Sequence, residues 1–463
     1  MLGFLEDRTR VEGYLKASLK IQDKLIRRVF TILLAVSAAS ASFPAFSQPF
    51  FERYEALLER HKLVKAAEAD IEAQRERIQS TIGGWYPRLN LTGFYGREKI
   101  RNPVETPDTS FLTREFDFNV TQLLWDFGVA NSQIRTAHLQ LELVQSQLFA
   151  ARQDVLLRAL SAHVNVRRTV EVLNFAKQSE ENIKAQATLE DALVQRGAGL
   201  STDVLQAKVT LAGAEARRVQ SEGALEVAKN TYKTLFSEFP TDAKRLEVVS
   251  VPEFLFPETV DEAVQLSFEG NPNLRAAMIG VKVAEEAIET TRASEFYPTL
   301  DLVGEAKFKQ DVGGAAGFKR EALGKVQFTF PFNLGFTAIN SLRAAESDST
   351  AASRRVSDLR DQIEEQARNA WSNLVTAGQN AALLQNQANI AAEFLDLARK
   401  ERQLGKRTLI DVLAGETNLI NAQSDATSAQ SDVIIAGLTL LSVMGQLSVD
   451  VVSVIDAKVP GKN

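Results

Sequence analysis

Two patterns of hydrophobic and polar positions alternate along this chain, and each predicts one kind of element. Between Gly128 and Gly197 there is no proline or glycine. Apolar residues recur there at every seventh position, namely Ile134, Leu141, Leu148, Val155 and Ala162. That spacing is typical of helices that pack side by side. In other segments, such as 88–95, apolar and polar residues alternate, which predicts β-strands. The chain is therefore predicted to combine very long helices with β-hairpins.

The same order of elements is predicted twice, at 48–240 and at 260–447. The first copy contains a helix at 51–82, a β-hairpin at about 86–126, a helical arm of roughly 100 Å and a turn at 197–203. The second copy contains a helix at 260–294, a β-hairpin at about 298–332, an equally long arm and a turn at 405–411. Residues 241–259 are predicted to connect the copies, and 448–463 to form a tail without regular structure.

The turns at the ends of the two arms indicate that the copies arose by duplication. Gly197 is followed at a fixed distance by Asp203, valine and leucine, and Gly405 is followed in the same way by Asp411, valine and leucine. Glycine favours a helix end and aspartate a helix start, so each turn predicts a sharp reversal between two helices. A long arm cannot bury its apolar seam alone, so each arm is expected to pack against neighbouring helices.

Residues 1–47 have the features of an export signal. Lys24, Arg27 and Arg28 precede an apolar run at 29–39, and small residues lead to a cleavage site after Ser47. The run is too short to span a bilayer as a helix, which favours a signal peptide over an anchor helix. No later segment is expected to form a transmembrane helix, and membrane entry through β-strands stays open.

Composition excludes several classes of function. The net charge is −6, which does not favour a nucleic-acid partner, and there is no cysteine for disulfides or thiolate metal sites. The three histidines, His61, His138 and His163, are scattered along the chain. No metal site, cofactor site or catalytic group of residues is recognised, so the chain is predicted not to be an enzyme.

Four segments carry a resemblance to a known family. They are Trp85-Tyr86-Pro87 and Phe296-Tyr297-Pro298 at the predicted strand starts, 122–128 (QLLWDFG) where the first hairpin meets its arm, and 405–413 (GKRTLIDVL) at the second turn. With them, the chain resembles the TolC family of outer membrane channel proteins over nearly all of its length after the signal. The resemblance implies an α+β membrane protein. Three chains would each give four strands to a 12-stranded outer membrane β-barrel, which continues as a long periplasmic α-helical barrel.

The resemblance also implies a function and partners. The chain would be the outer membrane exit channel of a tripartite export system. It would work as a homotrimer with a periplasmic adaptor protein and an inner-membrane ABC or proton-driven transporter. It would contact outer membrane lipid and extend into the periplasm. Secreted proteins (type I secretion) and small toxic compounds (drug efflux) are both cargoes of the family, and the sequence leaves that choice open.

The alternation within the strands agrees with insertion into a membrane. Leu89, Leu91 and Tyr95 would share one face and Asn90 and Thr92 the other, as expected for lipid outside and water inside. The edge of a soluble β-sandwich would alternate in the same way. Four strands cannot close a barrel alone, and open edges are not tolerated in lipid, so membrane insertion would require oligomerisation. Four aromatic residues would either mark the membrane interface or pack locally: Trp85, Tyr86, Phe296 and Tyr297.

The resemblance assigns both turns to the periplasmic end, where the tube narrows. Arg407 and Asp411 are expected to take part in links that hold this end closed, with Asp203 as a further acceptor. Asp203 and Asp411 are also candidates for capping the helices that follow them. Arg402 and Ala414 depart from the family pattern, which often has tyrosine and an acidic residue there. The tips of the turns are expected to contact the adaptor: Gly197, Gly199, Leu200, Gly405, Lys406 and Thr408.

A periplasmic coiled-coil adaptor is the alternative hypothesis, because such proteins also contain long helices with heptad spacing. They typically have one helical hairpin flanked by β-rich domains. The present chain is predicted to have two, each with membrane-type strands. The channel is therefore the preferred hypothesis.

Overall fold

A computed structural model describes residues 48–101, 107–240, 246–332, 334–451 and 453–455. The expected export signal at 1–47 lies outside these residues, as do 241–245 of the connector and the end of the tail. The described residues from 51 onwards form one compact unit. Before that unit, only 48–50 are described, as the first residues of a helix.

The described elements follow the repeated order of helix, hairpin, long helix, turn and helix. The helices are α1 Gln48–Arg60, α2 Lys62–Ile82, α3 Val129–Gln195, α4 Ser201–Phe236, α5 Val260–Gly270, α6 Pro272–Phe296, α7 Thr337–Gln403 and α8 Leu409–Val443. The strands are β1 Arg88–Ile100, β2 Thr109–Trp125, β3 Val248–Ser250, β4 Thr299–Gln310, β5 Phe318–Thr329 and β6 Ser453–Ile455. Because α3 and α7 both have 67 residues, each is about 100 Å long.

Two helices begin at residues whose side chains cap the first turn. The helix expected at 51–82 is interrupted at His61, whose backbone is extended and whose Nδ1 accepts a hydrogen bond from the Leu63 amide (3.3 Å). Asn271 caps α6 in the same manner, with Pro272 as the first helical residue. Proline suits that position because its missing amide hydrogen would have no partner there.

The larger sheet has the strand order β1-β2-β4-β5, with every neighbouring pair antiparallel. Leu91 lies opposite Phe118, which lies opposite Ala306, which lies opposite Ala322. We call the face that carries these four residues the apolar face. It comprises the odd positions 89–99 of β1 and the even positions 110–122 of β2, 300–310 of β4 and 318–328 of β5. The opposite face, called the polar face, carries most of the charged side chains of the sheet.

A second, small sheet joins the connector to the tail. Strand β3, at 248–250, pairs antiparallel with β6, at 453–455. The expectation that the tail lacks regular structure was therefore wrong for these residues. Three-residue strands give little local signal, and their pairing depends on two segments that lie about two hundred residues apart.

The long helices pack in the order α4-α3-α8-α7, with α2 against α3 and with α6 between α3 and α7. Small residues permit the close contacts. Ala388 of α7 packs with Ala422 and Ala426 of α8 in one cluster. Among the described residues, α8 is also long and apolar enough to cross a membrane. The core helix of a folded protein has the same length and composition, so the expectation that no segment after the signal forms a transmembrane helix stays a prediction. Here, residues of α8 such as Leu438 and Leu440 are buried inside the protein.

His163 of α3 is fully buried next to the connector. Its Nε2 lies 2.9 Å from the Glu247 carbonyl oxygen, and its ring centroid lies 6.3 Å from that of Tyr54. Burial disfavours the charged imidazolium and lowers the pKa of His163 to about 4. The folded protein therefore keeps this side chain neutral at pH values where an unfolded chain would protonate it.

We expect this histidine to make folding less favourable in acid. The folded pKa lies below the unfolded value of about 6.5, so stability from neutral His163 is present above that value and is lost as pH falls towards 4. The free energy of unfolding should decrease by roughly 3 kcal/mol per chain over this window. Denaturant titrations of the native chain and of His163→Gln at both ends of the window measure the effect. His138→Gln, at an exposed histidine, is the control. A decrease that is the same in His163→Gln as in the native chain would contradict the assignment.

Candidate functional site at the two helical turns

Both helical turns have the same backbone conformation. Gly197 has φ +76° and Gly405 has φ +75°. The amide of each glycine donates to a carbonyl three residues earlier, and the next amide donates to a carbonyl five residues earlier. This is how a helix ends through a left-handed residue, and glycine adopts that conformation without strain. The duplication seen in the sequence is therefore repeated in the geometry.

The helices after the turns begin differently. At α8, Thr408 and Asp411 form a reciprocal capping box, in which the Thr408 hydroxyl lies 2.8 Å from Asp411 Oδ2. At α4, the cap residue is Leu200, which has no side-chain acceptor, and Asp203 makes no side-chain hydrogen bond among the described residues. Asp411 therefore has the capping role, whereas Asp203 is free of it.

Arg407 binds within its own hairpin. Its Nε donates to Glu401 Oε2 at 2.7 Å, and its guanidinium carbon lies 5.5 Å from the Phe394 ring centroid. Both partners belong to α7. Within one chain, Arg407 is thus joined neither to Asp411 nor to Asp203, and its assignment to a closing link stays a prediction that concerns neighbouring copies.

Arg402 is the side chain that joins the two hairpins at this level. Its Nη2 donates to Glu190 Oε1 at 2.9 Å and lies 3.9 Å from Asp203 Oδ2. The Glu190 side chain is only 3% exposed. Glu190 also accepts a hydrogen bond from Gln186. The bond from Arg402 therefore links α7 to α3, and its acceptor carboxylate has little access to water that could replace the arginine.

In the sequence, Arg402 stands out only as a departure from the family pattern, and Glu190 is not predicted as a site residue. Glu190 lies in a helical stretch whose charged residues look like an ordinary solvated face. One signal for this pair was present in the sequence. An arginine that is unusual for the family lies near the second turn, and an acid with no assigned role, Glu190, lies near the first.

Apolar contacts hold the same two hairpins together. Ile183 and Ala187 of α3, Ala207 of α4, and Leu409 and Leu413 of α8 form one buried cluster. Leu409 is 1% exposed although it begins α8 immediately after the turn. Separating the hairpins at this end would expose the cluster as well as break the Arg402 bond.

A second buried acid lies further along the arms. Glu416 of α8 is 5% exposed and is paired with Arg399 of α7. Its other oxygen lies 3.5 Å from Asn182 Nδ2 of α3. In the described part of the chain no group of three or more acidic or histidine side chains is arranged to hold a metal ion. The arrangement at the turns provides links between helices.

The aromatic residues at the strand starts lie at the end of the sheet that meets the helices. Tyr86 and Tyr297 are exposed, and the Tyr297 ring stacks on Phe127 with centroids 5.2 Å apart. Phe296 is also exposed, and the Trp85 carbonyl accepts a hydrogen bond from Gln122 at 2.8 Å. Aromatic side chains therefore cluster where strands turn into helices.

Known proteins are similar to this chain over most of its length. Residues 53–236 and 263–446 match a family described as outer membrane efflux protein. The outer membrane protein TolC of Vibrio cholerae serotype O1 is 23% identical over 433 residues, covering 91% of this chain and 96% of that protein. The proteases secretion protein PrtF of Dickeya chrysanthemi is 22% identical over 439 residues, covering 91% and 92%. The CmeC outer membrane channel of Campylobacter jejuni superposes with a TM-score of 0.73 at 17% identity, covering 85% of each chain.

Proposed function

The chain belongs to the outer membrane efflux protein family, and from this premise we propose that three copies of it form an exit channel for export across the periplasm and outer membrane. The preference for a channel over a periplasmic adaptor, reached from the sequence, is confirmed by the family match and by the relatives. The family description names efflux, whereas one relative is named for protease secretion. Small compounds and secreted proteins are both within the proposal.

The unpaired edges of the chain are the observation that carries the trimer. The sheet has β1 and β5 at its edges, and the row of long helices has α4 and α7 at its ends. β1 and α4 come from the first repeat, and β5 and α7 from the second. One rotation that sets the second repeat of a copy against the first repeat of the next therefore pairs the strands and the helices together. Such head-to-tail contacts close into rings.

Exposed apolar side chains on the two end helices support this closure. Soluble monomers rarely leave so many uncovered. On α4 they are Leu205, Val209, Val219 and Val227, and on α7 they include Val375, Leu383, Ile390 and Leu397. A ring would cover these surfaces and would leave no strand edge exposed to lipid. Three copies would supply twelve strands, within the range of bacterial barrels.

The proposal predicts a heat-sensitive trimer that conducts ions. The full chain should be extracted from outer membranes with detergent and should migrate as a trimer without heating and as a monomer after heating. In planar bilayers the unheated preparation should form channels of small conductance, because the turns close the inner end. A monomer in both samples, or recovery in the soluble periplasmic fraction, would contradict the proposal.

We assign closure of the periplasmic end to the two turns. Opening would separate the hairpins, break the bond from Arg402 to Glu190 and expose part of the cluster around Leu409. Arg407, Asp411 and Asp203 are kept as candidates for the closing links that the family resemblance implies, and we propose that these links join neighbouring copies. All three residues are half-buried within one chain, so part of each can meet a neighbouring copy. Single-channel conductance of variants tests this assignment.

The turns would also receive the other components of the export system. Leu200, Gly405, Lys406 and Thr408 are exposed at the tips together with Gly197, and Gly199 is half-buried. We propose that a periplasmic adaptor contacts these tips and couples them to an inner-membrane ABC or proton-driven transporter. Four aromatic residues would lie at the periplasmic side of the outer membrane, where the barrel meets water: Trp85, Tyr86, Phe296 and Tyr297. Co-purification of an adaptor with the trimer tests the first of these contacts.

A further inference from the structure

The apolar face of the sheet becomes basic towards the hairpin tips. Among its positions on the four strands there is no aspartate or glutamate. Four cations lie there, all exposed and all within the part of each strand nearest its hairpin tip: Arg97 and Lys99 on β1, Arg114 on β2 and Arg320 on β5. We call them the rim cations.

The rim cations have no acidic partner within 4.0 Å among the residues that the structure describes. The polar face of the same strands is different. Lys307, Lys309, Lys319 and Lys325 all form ion pairs there, with Glu115, Glu305 or Glu321 as acceptors. The four lysines of the polar face are thus neutralised by acids of the same sheet, whereas the rim cations are left to an outside partner.

Aromatic rings hold two of the rim cations in place. The Arg114 guanidinium carbon lies 5.6 Å from the Tyr95 ring centroid, and that of Arg320 lies 5.2 Å from the Phe318 centroid. Below them the face carries no charged side chain, and Leu91, Phe116 and Val326 are exposed there. Guanidinium groups that extend from an apolar band over aromatic rings are typical of a boundary between hydrocarbon and polar headgroups.

We propose that the rim cations bind the phosphate groups of phosphorylated glycolipids in the outer leaflet, an inference that rests on the proposed insertion of the sheet in the outer membrane. The hairpin tips lie at the end of the sheet away from the helices, so insertion with the helices in the periplasm brings this rim to the outer leaflet. Unpaired cations beside hydrocarbon are costly. Phosphate offers the oxygen pairs that arginine binds in a bidentate manner.

Ring closure would gather the rim cations into one site per junction. Arg114, Arg97 and Lys99 lie on the adjacent strands β2 and β1. Arg320 lies on β5, the edge that would pair with β1 of the neighbouring copy. The four cations would then occupy three adjacent strands, with the last contributed by the second copy. A lipid headgroup with two phosphates could span such a site, which is incomplete in a single chain.

The test measures binding of the purified trimer to lipid vesicles of stated composition. One set contains phosphatidylcholine with bisphosphorylated lipid A, a second contains dephosphorylated lipid A, and a third contains phosphatidylglycerol at equal charge. The variant replaces Arg97, Lys99, Arg114 and Arg320 by glutamine. The control replaces four exposed cations of the helical region that form no ion pair among the described residues, Arg60, Lys62, Lys65 and Lys184, by glutamine.

The native trimer and the control should bind lipid A vesicles equally, and the rim variant should bind more than about tenfold more weakly. The native trimer should bind the dephosphorylated and phosphatidylglycerol vesicles as weakly as the rim variant binds lipid A. Equal binding by the rim variant, or equal binding of phosphatidylglycerol, would overturn the proposal. All three proteins should still form heat-sensitive trimers and conducting channels. Loss of these properties in the native chain would instead refute the proposed function.

Discussion

Replacing Arg402 by alanine is expected to raise the single-channel conductance of the reconstituted protein. Arg402 joins the second hairpin to Glu190 on the first, with 2.9 Å between Nη2 and Oε1. Because Glu190 is 3% exposed, the closed form of the variant would keep a nearly buried carboxylate without its cation. A charge-assisted hydrogen bond contributes about 2 kcal/mol. Its loss would favour the open form roughly thirtyfold for each link that breaks.

Arg196→Ala is the matched control for charge. Arg196 is exposed at the first turn and forms no ion pair among the described residues, so its removal changes the charge of the entrance without breaking a link. Conductance of this variant should stay near the native value. The Arg402 link would be refuted by native conductance in Arg402→Ala, or by an equal rise in the control.

The Arg407→Ala variant distinguishes contacts within one chain from contacts between copies. The only ion-pair acceptor of Arg407 in the described part of the chain is Glu401 of its own hairpin. We expect the conductance of Arg407→Ala to rise, because the family resemblance implies that Arg407 takes part in a link that holds the periplasmic end closed. Unchanged conductance would confine Arg407 to its pair with Glu401 and contradict that link.

Replacing Gly270 by alanine is expected to prevent stable assembly or to lower thermal stability severely. Gly270 ends α5 against the end of α8, and a Cβ atom there would overlap the Met444 carbonyl oxygen. The obstacle is backbone, which cannot rotate away as a side chain could. Gly445 faces Gly270 with φ +70°, so the two backbones approach each other at positions that only glycine fits.

The expected loss is about 3 kcal/mol per chain or more, as for overpacking of a rigid contact. Gly280→Ala is the control, because Gly280 lies inside α6 with open space around it. That substitution should stabilise the helix slightly, by up to about 1 kcal/mol. The temperature at which the trimer dissociates and unfolds measures both effects. Equal transition temperatures for Gly270→Ala and the native chain would contradict the prediction. They would show that the backbone between α5 and α8 can move apart to accommodate a Cβ atom.

The family and fold could be predicted from the sequence because their signals are local and occur twice. Each turn needs a glycine at positive φ, and such a glycine stands at Gly197 and at Gly405. Each strand needs alternation, and the alternating residues were assigned to the correct faces. The resemblance built on these segments is confirmed by the family match over 53–236 and 263–446.

Local reasoning was less successful where one residue had two candidate roles. Asp203 and Asp411 occupy equivalent positions, and both suited a helix cap. Only Asp411 forms a cap, because Thr408 precedes it, whereas Leu200 stands at the corresponding position before Asp203. Asp203 instead lies 3.9 Å from Arg402. The difference was present in the sequence as threonine against leucine.

By itself, the sequence determined the repeated order of helices, hairpins and turns, since periodicity, capping and glycine conformation act over a few residues. Only the tertiary structure decided which charges meet. Arg402 pairs with Glu190 across 212 positions of the chain, whereas Arg407 pairs with a residue six positions away. An ion pair depends on distances of a few ångströms between side chains, and these are set by how α3 and α7 are brought together. Strand register likewise brings the four lysines of the polar face next to acids and leaves the rim cations without them.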